Sequence, residues 1–155
     1  MNWRWILPLA ALLFVAGAKK QPPVTVRFHV EGNAQDTNVF TTPVTLQNPA
    51  RQAFIDKIPV ISERDIQSIF PFEAGDGTLG CAFKLDDHGR IALDTTSLDK
   101  RGTSLVAFVN GRQVVDMVID KHVSDGIISI QRGLTSVDIM TLQKKYPILG
   151  AAKKH

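Results

Sequence analysis

Asn110-Gly111 stands between Val106-Ala107-Phe108-Val109 and Arg112-Gln113-Val114-Val115, and no other feature of this 155-residue chain constrains its fold so tightly. A two-residue loop of this kind needs positive φ at both positions, which Asn and Gly adopt at least cost, and it joins antiparallel strands. A lone hairpin is marginal in water, so the rest of the chain must cover its apolar face.

Covering segments are present on both sides. Val24, Val26, Phe28 and Val30 alternate with Thr25, Arg27, His29 and Glu31, the pattern of a strand with one buried face, and His29 is expected to point outward. Thr41 to Leu46 reads as a weaker strand interrupted by Pro43, followed by a turn at Asn48-Pro49. Ser62-Glu63-Arg64-Asp65 reads as a capping box opening a short helix with Ile66, Ile69 and Phe70 on one face and Pro71 as its stop. Leu79 to Leu85 reads as a strand, Asp86-Asp87-His88-Gly89 as a turn, and Asp94-Thr95 as the start of a second helix ending at Gly102. Asp125-Gly126 marks a turn before Ile127 to Ile130. Thr135-Ser136-Val137-Asp138 caps a final helix carrying Ile139, Leu142 and Tyr146, which Pro147 ends. Strands that arrive as hairpins with short helices between them predict an α+β fold, a mainly antiparallel sheet with short helices packed on one face. A doubly wound parallel sheet would need longer helices between every strand pair.

The first segment, 1–18, has the three parts of a cleaved signal peptide. Arg4 gives the positive start, Ile6 to Val15 the apolar stretch, and Ala16-Gly17-Ala18 the small-x-small cleavage pattern. The apolar run is shorter than the roughly 20 residues of a membrane span and meets Lys19, Lys20, Pro22 and Pro23 at once. A retained anchor is the other reading of this segment. The expected plan is therefore a signal peptide at 1–18, a linker at 19–23, one domain at 24–149 and a basic tail at 150–155, with the protein periplasmic or otherwise extracytoplasmic. The full chain has a formal charge of +3, and loss of Arg4 lowers it by one, too weak and scattered to point to nucleic acid. With one cysteine there is no internal disulfide, so packing must supply the stability. Cys81 shares a strand face with Leu79, Phe83 and Leu85 and reads as a buried structural thiol rather than a nucleophile.

Candidate constellations for chemistry are sparse. Gly75-Asp76-Gly77-Thr78-Leu79-Gly80 matches a dinucleotide-binding pattern, but it precedes a strand where a phosphate site would need to follow one and open a helix. Asp116, Asp120 and His122 fall at even spacing in an expected strand, as a row that could serve a metal or act as acid and base. Residues four apart in a strand are about 13 Å apart. The row is therefore expected to be a solvated face opposite Val115, Met117 and Ile119. Asp94-Thr95-Thr96 resembles the Asp-Thr of aspartic proteases without the second carboxylate such a site requires, and Asp86-Asp87-His88 has too few ligands for calcium. No catalytic, cofactor-binding or metal-binding residue is assigned.

From about Pro59 the chain resembles the head part of the first large periplasmic domain of SecD, the membrane subunit of the SecD/SecDF family that assists protein export. The residues that carry the resemblance are Phe83-Lys84-Leu85-Asp86 before a glycine, Asp94-Thr95-Thr96 leading toward Gly102, Leu105 to Arg112 with its Asn-Gly turn, Ile127-Ile128-Ser129-Ile130, and Gly133-Leu134-Thr135. The resemblance implies an α+β head that engages an exported polypeptide, and it carries no catalytic residue. The family's transmembrane helices have no counterpart here, nor does its Ala-Pro after the hairpin, around Val115 to Val118, so motor activity is not carried over. Three readings of function remain. The first is an exported non-enzymatic binding module for a polypeptide or an envelope protein complex, with no cofactor. The second is a small periplasmic hydrolase or metal-dependent enzyme using Asp116, Asp120 and His122. A structural envelope protein without a ligand is the third.

Overall fold

The computed structural model describes residues 23–33, 35–36 and 39–151. The expected signal peptide, most of the linker and the Lys153-Lys154-His155 end lie outside the described residues. Eight strands and two helices follow in the order β1 (Val26–Val30), β2 (Thr41–Gln47), β3 (Ala50–Asp56), β4 (Ile66–Glu73), β5 (Leu79–Leu85), α1 (Asp87–Asp99), β6 (Ser104–Val109), β7 (Arg112–Val118), β8 (Ile127–Leu134) and α2 (Ser136–Lys145). They form three antiparallel sheets, ordered β1-β6-β7, β2-β3 and β4-β5-β8, so the fold is α+β as the sequence predicts.

The hairpin is where Asn-Gly puts it. Asn110 and Gly111 have φ of 50° and 76°, and Val109 faces Arg112 across the turn. Its first strand, β6, is central in its sheet and buried on both faces, which explains its unbroken apolar run. Leu105, Ala107 and Val109 enter the main core with Val26, Phe28 and Val30 of β1. The inner faces of β4, β5 and β8 and the buried sides of both helices join that core, and Phe28 meets Phe83 edge to face. On the other side, Val106 packs with Leu46, Ala53 and Ile55 of the β2-β3 hairpin. That hairpin also covers His29, whose ring is half-buried against Phe108 with Nδ1 2.7 Å from the Asp56 carbonyl oxygen. His29 therefore points away from the main core, as its alternation predicts, into a second layer and not into water.

Three expectations need correction. The helix expected after Ser62 does not form: Ser62 to Asp65 is a turn and β4 follows. Asp65 Oδ2 accepts Ser62 N–H at 2.7 Å and the Ser62 hydroxyl at 3.1 Å, which satisfies a capping-box pattern without a helix. The helical spacing of Ile66 and Ile69 comes from a bulge. The β4-β5 register slips between Ile66 and Ser68, so both isoleucines, three apart, face the core. Pro71 fits because β4 is an edge strand, where a missing N–H is tolerated.

The second helix begins at Asp87 and not near Asp94. Asp86 is its cap, accepting the Gly89 N–H at 2.8 Å, so the four residues that resemble a turn are the first turn of α1. Gly89 is there for a close approach, since a Cβ would lie 2.8 Å from the Asp65 Cβ. The third correction is β3, which sequence periodicity does not reveal: it returns from the Asn48-Pro49 turn to pair with β2, and only Ala53 and Ile55 of it are buried. The final helix is as expected, with Thr135 and Asp138 completing a capping box.

Candidate functional site

β7 ends the first sheet and β8 the third, and each pairs on one side only, β7 with β6 and β8 with β5. The two strands meet at one end. Val114 is an extra residue in the β6-β7 register, a bulge that lifts it out of the ladder, and its carbonyl comes against Gly133. A Cβ on Gly133 would be 3.1 Å from both Val114 O and Val114 Cγ1. Arg112 reinforces the junction, donating to the Gly133 carbonyl at 3.3 Å and to Asp138 Oδ2 at 2.6 Å. The Gly133 N–H donates to the Thr78 hydroxyl at 2.8 Å, and that hydroxyl donates to Asp76. The loop that matches a dinucleotide pattern is thus a turn that holds the end of β8.

Away from this junction the strands enclose a mainly apolar cavity of about 420 Å³, with Met117 and Val118 on one side, Ile128 and Ser129 on the other, and Leu93 and Leu105 among its other walls. Residues 119–126 cross from β7 to β8 as a strap fastened to α1 and its C-terminal turn. Val123 N–H donates to the Ser97 hydroxyl at 2.9 Å, Ile119 and Gly102 are joined by the Gly102 N–H to Ile119 carbonyl bond at 2.8 Å, and the His122 Nε2 meets Asp94 Oδ1. Val118 stays half exposed at the mouth. Unpaired strand edges beside an apolar cavity can accept an extended chain, with backbone bonds along the edge and alternate side chains in the cavity.

The structure does not bring Asp116, Asp120 and His122 together. Asp116 is buried, not solvated, and its two oxygens accept the N–H groups of Gln47 and Asn48 at 2.8 and 2.9 Å. It serves the β2-β3 turn and lines a separate polar cavity of about 450 Å³ with Gln113 and Arg132. Asp120 lies past the end of β7, on the strap, and His122 turns to Asp94. Strand β7 stops at Val118, so the even spacing no longer holds one face beyond it.

Cys81 is fully buried, and burial pushes its thiol up to about 12, the opposite of an activated nucleophile. Among the described residues no helix is long and apolar enough to cross a membrane.

No protein-family model matches this chain, and no curated protein matches it. Its fold does match solved structures of SecDF. One, described as a membrane component that enhances protein export, aligns over 86% of this chain and 70% of its own, with a TM-score of 0.55 and 11% identity. A second, SecDF in a super-membrane-facing form, aligns over 81% of this chain at a TM-score of 0.55 and 12% identity, and this chain spans 19% of its length. The chain has a SecD-like fold. The likeness reaches upstream of Pro59, where the sequence resemblance begins, because 86% of the chain is more than that part contains.

Proposed function

We propose that this chain is an exported, non-enzymatic binding module that holds an extended polypeptide segment at the cleft between β7 and β8. The observation that carries the reading is an apolar cavity lined by two strands that each pair on one side only and that meet at Val114 and Gly133. An extended segment adds to such an edge through its backbone and needs only an apolar side chain at alternate positions, so one cleft serves many sequences. A shared fold does not fix a shared task. The likeness to SecDF, described as enhancing protein export, nonetheless agrees with a polypeptide ligand. An extracytoplasmic location rests on the pattern of 1–18.

The test places a photoreactive phenylalanine analogue at Val118, at the mouth of the cleft, or at Ile58, exposed beyond the end of β3. The probe is a reduced and alkylated polypeptide that cannot fold. Crosslinking from 118 and not from 58 is the expected result. Equal yields at both positions, or none at 118, overturn the reading.

A further inference from the structure

Asp86 and His88, at the start of α1, are too few ligands by themselves, but the fold brings a third to them from another segment. Asp65, Asp86 and His88 each offer one ligand atom, all within 4.8 Å of one another, the one group of this kind among the described residues. We propose that these three side chains form a binding site for a single divalent transition-metal ion of the zinc class.

The donor set is two carboxylates and an imidazole, which suits zinc and its first-row neighbours better than calcium, whose sites are built from six to eight oxygens. A tetrahedral ion with ligands about 2.1 Å away spaces them about 3.4 Å apart. A side-chain movement of the order of 1 Å therefore closes the observed triangle on an ion. Three protein ligands leave the fourth position to water.

Asp65 gives the second, independent reason. Its side chain is 9% exposed, while that of His88 is 80% exposed. Asp65 Oδ2 is held by the backbone and hydroxyl of Ser62, but Oδ1 faces outward with only His88 Nδ1 against it, at 2.8 Å. No lysine or arginine pairs with it among the described residues. An ion at this position would neutralise a buried carboxylate whose Oδ1 has no partner but the imidazole among the described residues. The cluster is also held in place before any ion arrives. Asp86 N–H donates to the Asp65 carbonyl at 2.8 Å, Asp86 Oδ1 caps Gly89, and Gly89 lets the two segments touch. When the ion binds through Nδ1, the proton on that nitrogen leaves it. A neutral ring carries it on the solvent-facing Nε2, and a charged ring releases one proton to water.

Zinc chloride is titrated calorimetrically into the intact protein near neutral pH in a buffer that does not bind metal. A one-site isotherm is expected, weakened at least about tenfold in His88→Gln and in Asp86→Asn, and unchanged in His122→Gln. His88 is exposed, so its variant folds whatever happens to Asp65→Asn. Unfolding in denaturant supplies a second measurement: zinc should stabilise the wild-type protein and not His88→Gln. No one-site binding, or an isotherm that His88→Gln leaves unchanged, overturns the proposal.

Discussion

Gly133 lies against Val114, and any side chain at 133 would be strained there. The φ of Gly133 is +88°, and a Cβ would be 3.1 Å from the Val114 carbonyl oxygen. This contact closes one end of the cleft, so shape at the site depends on a residue with no side chain. Val114 reaches it because a bulge frees it from β6, and β8 answers with its own irregularity between the partners of Leu79 and Cys81.

Gly133→Ala should therefore cost more than a positive φ alone. Gly102 has φ of +86° with nothing within 4 Å of where a Cβ would sit, so Gly102→Ala isolates the backbone cost of about 1–2 kcal/mol. Gly133→Ala should lose about 1 kcal/mol beyond that from crowding. Urea unfolding of the two variants side by side measures the difference, and equal losses would show that β7 and β8 do not depend on the contact.

Asp116 is a structural carboxylate. Asparagine has one acceptor oxygen where two are used, so Asp116→Asn leaves one N–H of the Gln47 and Asn48 pair without its partner and turns an amide NH2 toward it. The expected cost is about 1–3 kcal/mol in chemical denaturation. Asp120→Asn, on the strap, should change stability by no more than about 0.5 kcal/mol. A large effect at Asp120 with none at Asp116 would reverse these assignments.

The alkaline limb of stability belongs to Cys81 and Tyr146. Burial raises the thiol from 9.0 to about 12, and burial with the nearby Glu63 charge raises the phenol from 10.0 to about 12. The Tyr146 hydroxyl also donates to the Glu63 carbonyl at 2.8 Å. As pH rises past 9 the unfolded chain loses these protons first, so the folded state binds more protons and stability falls with pH until about 12. Denaturant midpoints measured across this window should decline, and less steeply in Cys81→Ala. A thiol reagent near neutral pH should leave the native protein unmodified and react after unfolding. Fast native labelling would contradict the burial of Cys81.

Expectations succeeded where a structural decision is local. Asn110-Gly111 specifies its turn by φ, Thr135 and Asp138 cap their helix within four residues, and the alternation from Val24 to Val30 marks one buried face. They failed where a second segment decides. Ile66 and Ile69 have helical spacing, but the neighbouring β5 imposes a bulged strand. Asp86 to Gly89 resembles a turn until Asp65 and Leu85 pack against the glycine. β3 has little periodicity of its own and is ordered by β2 and by the far face of β6.

The sequence by itself determined the class of fold, the hairpin, the buried thiol and the last helix, because each follows from backbone preferences or hydrophobic spacing within a few residues. Only the tertiary structure decided the sites. The cavity is lined by two strands from different sheets that approach at Val114 and Gly133, and Asp116 accepts N–H groups from a hairpin some 70 residues upstream. Asp65 reaches His88 across 23 residues. Such meetings depend on how sheets pack and where bulges fall, and no short-range pattern along the chain records them.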